Sequence, residues 1–241
     1  MPESSTASAP EVKRIFISHI ALDAHYALLL TKEIEKAFSG KVTAFVSATG
    51  GRLGAFTDAI EEELRSAEIL MVLVSRFSVS STWVSFEAGF ARALGRIIFP
   101  VFNPPVTASQ LPPSLSQLEA RRLNAQTFPK QIIKEDLARA LGLRVRPGFQ
   151  YKRMHTAIRA ARSRETLMTN LITELAKEEG STPPPPNSAT TVESLAKRVG
   201  ISENTAVEVL DYLESSTYVA SSPHSRKNAY SLTKRSKSIL A

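Results

Sequence analysis

Ser80-Ser81-Thr82-Trp83-Val84-Ser85-Phe86-Glu87-Ala88-Gly89-Phe90-Ala91-Arg92-Ala93-Leu94-Gly95 is the stretch from which the fold can be worked out. It opens with hydroxyl residues of the kind that cap a helix, continues as a mostly apolar run, and meets a left-handed stop at Gly95. The spacing predicts one helix. Trp83 and Glu87 lie four residues apart, so an indole and a carboxylate share one face, while Phe86, Phe90 and Leu94 make a second face suited to burial. Gly89 inside the helix costs about 1 kcal/mol against alanine, which points to close backbone packing or to a tolerated weak position. Taken alone, Glu87 reads as a solvated acid or as one paired with Arg92 or Arg96 nearby.

On either side of this helix the pattern alternates. Residues 69–74 before it are continuously apolar, as a central parallel strand is, and residues 97–101 after it form another such run. Upstream, residues 14–18 read as a first strand. A helix ending at Phe38 follows, with Ala27, Leu30, Ile34 and Phe38 in line, and Gly40 stops it. Residues 42–46 read as the second strand, followed by the loop Ser47-Ala48-Thr49-Gly50-Gly51-Arg52-Leu53-Gly54 and a helix aligning Phe56, Ile60 and Leu64. Strands separated by helices require right-handed crossovers, so the first domain is α/β with a doubly wound parallel sheet. An edge strand is expected within 118–123 and an amphipathic helix over 130–141, closing this domain near residue 143.

Downstream, residues 151–179 read as one long helix with Met154, Ile158, Leu167, Leu171 and Leu175 as its apolar stripe. Residues 181–188 contain four consecutive prolines and read as a stiff spacer. The last segment reads as a helix over 191–199, a turn at Gly200, a second helix capped by Ser202, and a hairpin, the pattern of a small winged helix-turn-helix. The expected organisation is a disordered tail over 1–12, the sheet domain over 13–143, a basic helical connector over 144–180, the linker over 181–188 and the winged-helix-like domain over 189–241.

Composition narrows the chemistry. The absence of cysteine excludes disulfides, thiol nucleophiles and thiolate metal sites, and the four histidines form no spaced ligand pair, so no metal is expected. No apolar run approaches the roughly 20 residues of a membrane span, and a cytoplasmic protein is expected. The net charge of +7 is concentrated in Arg144, Arg146, Lys152, Arg153, Arg159, Arg162 and Arg164, with no acid between them. Such a run can meet phosphate, an acidic partner or only water.

Open parallel sheets bind ligands outside the carboxyl ends of their strands. Ser18, His19 and Asp23 follow the first strand, Ser47 to Gly54 the second, Ser75 and Arg76 the third, and Asn103 the fourth; Trp83 and Glu87 belong to the helix entered from the same edge. A carboxylate, an indole, a glycine-rich loop and several hydroxyls around one crevice suit a polar small molecule. The glycine loop lacks the first glycine of a dinucleotide fingerprint and has no phosphate-loop Gly-Lys-Ser/Thr.

Arg14-Ile15-Phe16-Ile17-Ser18-His19 with Asp23, the glycine loop, Val72-Leu73-Val74-Ser75 and Ser81-Thr82-Trp83-Val84-Ser85-Phe86-Glu87 together resemble a Toll/interleukin-1 receptor (TIR) domain of the bacterial type, over about residues 13–143. The resemblance implies a flavodoxin-like sheet. It implies that Glu87 is the catalytic glutamate of an NAD+ nucleosidase, with NAD+ as substrate and no separate cofactor. Ser18, His19, Asp23, Ser47, Gly50, Gly51, Phe56, Ser75 and Trp83 would then surround the substrate. The loop after the second strand would gate the site and touch a neighbouring copy, giving a homo-oligomer, and a role in antiviral defence follows from the same resemblance. Ser47 stands where many relatives have an acid, and Phe56 near where many have tryptophan. The segment Glu87 to Gly95 is also similar to the helix of nucleoside 2-deoxyribosyltransferases, although no second acid motif accompanies it. A third possibility is a non-catalytic assembly module or a DNA-bound regulator. For that role Arg226, Lys227, Lys234, Arg235 and Lys237, on the wing and beyond, are the expected nucleic-acid or protein contacts, since Glu203, Glu208, Asp211 and Glu214 make the second tail helix acidic.

Overall fold

A computed structural model of the chain describes residues 12–46, 58–179, 190–216, 218–221 and 229–233. The expected linker over 181–188 and nearly all of the N-terminal tail lie outside them. So do the candidate residues Ser47, Gly50, Gly51, Phe56, Arg226, Lys227, Lys234, Arg235 and Lys237. The described part divides into two compact units, residues 1–158 and 159–241.

The first unit alternates strand and helix: β1 (Lys13–Ser18), α1 (Ala24–Phe38), β2 (Val42–Val46), α2 (Asp58–Ser66), β3 (Ile69–Val74), α3 (Thr82–Ala93) and β4 (Ile97–Phe102). The short elements α4 (Pro113–Ser116) and β5 (Arg121–Arg122) follow. The sheet is parallel throughout, in the order β2-β1-β3-β4-β5, with Ile15 opposite Ala44 on one side and Ile69 on the other. Ile15, Phe16 and Ile17 have no exposed surface although they point alternately to opposite faces, so β1 is covered on both. β3 is buried along its whole length.

Helix α1 buries Ala27, Leu30, Ile34 and Phe38 as their spacing predicts, and ends at Ser39, which takes a left-handed φ of 50° before Gly40. The helix expected over 130–141 is more irregular than its pattern: α5 (Phe128–Lys130), a π-helical stretch (Gln131–Leu137) and α6 (Ala138–Leu141). The wider turn brings Ile132 into line with Leu137 and turns Asp136 inward to 1% exposure. There Arg121 of β5 grips both carboxylate oxygens, Nε to Oδ2 at 2.7 Å and Nη2 to Oδ1 at 2.9 Å, which fastens the two-residue edge strand.

Helix α3 is the helix of the opening stretch, capped by the Ser81 hydroxyl, which accepts from the Val84 N–H. Its buried face is not the one the aromatic residues suggest. Trp83, Val84, Glu87, Ala88 and Ala91 are buried, whereas Phe86 is 50% exposed and Phe90 and Leu94 are only partly covered. Phe86 and Phe90 instead stack on each other at 6.4 Å between centroids, and the Arg65 guanidinium of α2 lies 5.3 Å from the Phe90 ring.

The second unit contains the later part of α7 (Tyr151–Glu179), β6 (Thr190–Thr191), α8 (Val192–Val199), α9 (Glu203–Ser215), β7 (Val219–Ser221) and β8 (Ala229–Leu232). The strands form a three-stranded antiparallel sheet in the order β6-β8-β7. The two helices are separated by Gly200 at a φ of 74°, and Thr191 and Ser202 cap their N-termini. Along α7, Met154, Ile158, Leu171 and Leu175 are buried as expected; Met168, not Leu167, fills the intervening position, together with Ala161 and Ile172. Arg164 is half-buried against Glu208 at 3.4 Å and the Tyr212 ring at 5.0 Å, while Arg144, Arg146, Lys152, Arg153 and Arg159 are exposed. No helix among the described residues is long and apolar enough to cross a membrane.

Gly89 is exposed, and a Cβ built on it meets nothing within 4 Å. The glycine is therefore a tolerated weak position, not a packing requirement. Gly89→Ala is expected to stabilise the first unit by about 1 kcal/mol in denaturant titrations; a loss of stability would show that the helix needs the glycine.

Candidate functional site

The order β2-β1-β3-β4-β5 places its switch point between β1 and β3, where crossovers leave in opposite directions and a crevice opens at the carboxyl ends. Ser18 ends β1 and Ser75 directly follows β3. Beside them, α3 carries Glu87 at zero exposure. The Ser18 hydroxyl donates to Glu87 Oε2 across 69 residues of chain. The Trp83 indole N–H, one turn earlier on the same helix, also favours the charged carboxylate. Oε1 is buried and has no partner of full hydrogen-bond geometry among the described residues.

No arginine reaches this carboxylate among the described residues. Arg96 instead donates to the Arg65 carbonyl oxygen and Arg92 is exposed, so the ordinary fate of a helical acid does not apply. Burial pushes the Glu87 carboxyl up to about 7, against the downward pull of the bond from Ser18 and of the nearby Trp83 indole.

Other residues from the same edge are buried and tied together. The Ser75 hydroxyl donates to Asp23 Oδ2 at 2.9 Å and accepts from the Phe77 N–H at 3.1 Å, linking the loop after β1 to the loop after β3. His19 is 2% exposed; its Nδ1 lies 3.3 Å from the Ile17 carbonyl oxygen, which can only accept, so Nδ1 carries the proton. Burial lowers its pKa to about 4, leaving a neutral ring near pH 7. Asn103 donates to the Tyr26 hydroxyl at 3.1 Å, joining the loop after β4 to α1; Tyr26 carried no signal of this role in the sequence beyond its place in an apolar helix face.

Thus Ser18, Glu87 and Trp83 form one cluster, and Asp23 with Ser75 forms a second tie at the same edge. A cavity of about 530 Å³ lies elsewhere, lined by Val12, Arg14, Thr43, Phe45, Glu63 and Ala67 at the opposite end of β1 from Ser18. It includes none of the candidate residues. Among the described residues no group of three or more His, Asp or Glu side chains is placed to hold a metal ion.

The TIR domain family matches residues 15–138, just over half of the chain. Among solved structures, the chain is similar to the TIR domains in the structure of the activated Roq1 resistosome directly recognizing the pathogen effector XopQ. The identity is 18%, over 62% of this chain and 82% of that one, with a TM-score of 0.33. No curated protein matches the chain.

The buried carboxylate carries a pH signature. Its folded pKa of about 7 exceeds the ordinary 4.5, so its contribution to stability is complete below pH 4.5 and is lost as pH rises through 7. Glu87→Gln is therefore expected to gain stability relative to the parent chain between pH 4.5 and 8, by about 3 kcal/mol. Trp83, the single tryptophan, reports the unfolding transition. A stability difference that does not change with pH would place the carboxylate in water.

Proposed function

The chain belongs to the TIR domain family, and from that membership we propose that it hydrolyses NAD+ at the bond between nicotinamide and ribose, with Glu87 as the catalytic carboxylate. One observation carries the proposal: a carboxylate with no exposed surface is held by the Ser18 hydroxyl beside the Trp83 indole and, among the described residues, by no arginine, at the switch point of a wound sheet.

The chemistry asks for little more than such a group. When the C1′–N bond of NAD+ breaks, its electron pair goes to the pyridinium nitrogen, so nicotinamide departs neutral and no general acid is required. The ribose carbon passes through an oxocarbenium-like state, and a nearby carboxylate stabilises the positive charge that develops there. Away from bulk water that attraction is several-fold stronger than on the surface. Water then adds at C1′ and loses a proton, giving ADP-ribose; attack from within the same molecule gives a cyclic product. The cationic pyridinium favours the ionised form of Glu87 as it binds.

The second unit is assigned a regulatory role. Its element order, with α7, β6, α8, α9, β7 and β8 in turn, suits a winged helix, and Glu203, Glu208 and Asp211 are exposed on α9. These acids oppose phosphate, so α9 suits a protein partner better than a DNA groove.

Glu87→Gln and Glu87→Ala are expected to lower nicotinamide release from NAD+ by at least about a hundredfold with the fold retained, measured by chromatography of the products. Undiminished release in either folded variant would remove Glu87 from catalysis. No release from the intact parent chain would leave the assembly module as the better reading.

A further inference from the structure

We propose that Ser18 is the positioning residue for Glu87: its hydroxyl pins one carboxylate oxygen and favours the charged form over the protonated one, and it does not contact substrate. The effect on turnover rests on the reading of Glu87 as the catalytic group; the effect on the carboxylate itself does not.

The geometry is restrictive. Ser18 is the last residue of a central strand, has no exposed surface, and lies between the buried Ile17 and His19. A serine hydroxyl has one proton, and here it is donated to Glu87 Oε2. That leaves Ser18 no donor for a ribose hydroxyl. With Oε2 held, the lone pairs still open on the carboxylate are chiefly those of Oε1, so the contact at one oxygen aims the other.

Among the described residues no charged group competes for this carboxylate. β3, β4 and α4, which pack against α3, contain no titratable residue. From the β1 side the titratable neighbours are His19, whose proton lies toward Ile17, and Asp23, bound by Ser75; Lys13 and Arg14 stand at the far end of that strand. From α2, Arg65 lies over Phe90, and on α3 itself Arg92 is exposed. Among the described residues, the hydroxyl and the Trp83 indole are the polar groups that act on Glu87. Removing a hydrogen bond to a charged acceptor then disfavours the anion by a predictable amount.

Trp83 supplies the readout: the single indole of the chain acts on the carboxylate, so its emission is expected to follow the ionisation of Glu87 without any substrate. The test compares the pH midpoint of Trp83 fluorescence in the full chain, in Ser18→Ala, and in Glu87→Gln, alongside the pH profile of nicotinamide release. Glu87→Gln is expected to abolish the step. Ser18→Ala is expected to raise its midpoint by about one to two pH units and to move the acidic limb of the release profile by the same amount. A shifted midpoint in a chain that releases no nicotinamide supports the positioning role and sinks NAD+ hydrolysis instead. An unmoved midpoint in folded Ser18→Ala, or a step that survives in Glu87→Gln, overturns the proposal.

Discussion

The hydrogen bond from Ser18 to Glu87 joins the end of β1 to the middle of α3 across the point where the sheet changes its winding direction. Around it, residues 15–17 of β1 and the whole of β3 are apolar and buried, which makes this an expensive place for a charge. A comparison within the same unit shows what the chain does with such charges. Asp136 is as deeply buried as Glu87 but is gripped at both oxygens by Arg121, and its use is structural, holding an edge strand of two residues. Glu87 receives the Ser18 hydroxyl instead, with the Trp83 indole nearby, and burial outweighs both to push its pKa up.

Two further bonds extend the same construction along the carboxyl edge. Ser75 to Asp23 ties the loop after β3 to the loop after β1, and Asn103 to Tyr26 ties the loop after β4 to α1. Loops at this edge would otherwise be free to move independently, and each bond removes one such freedom. Among the described residues of this rim, Ser18 with Glu87, Ser75 with Asp23 and Asn103 with Tyr26 are tied in pairs, which fixes the directions of those side chains.

Much of this was legible in the sequence, and its limits have a physical cause. The apolar runs that became β1, β2, β3 and β4, the spacing of α1, the cap at Ser81 and the switch-point residues Ser18 and Ser75 follow from local pattern and strand order. The face of α3 did not. Counting apolar residues assigned Phe86, Phe90 and Leu94 to the interior, because a helix pattern says which residues are apolar and not which partner each face will meet. The partner was a serine 69 residues away, and it drew the acid inward while the phenylalanines stacked on one another under Arg65. The same limit applies to Leu167 and Met168, adjacent apolar residues on neighbouring faces, and to the π-helical turn that carries Asp136 inward.

The central claim is that an acid normally ionised by pH 5 retains its proton to near neutrality here because it is enclosed and, among the described residues, paired with no cation. Titrating the side-chain carboxyl carbon of Glu87 by 13C NMR in the intact chain tests this most directly. The account predicts a midpoint near 7; a midpoint at the ordinary carboxylate value near 4.5 would contradict it.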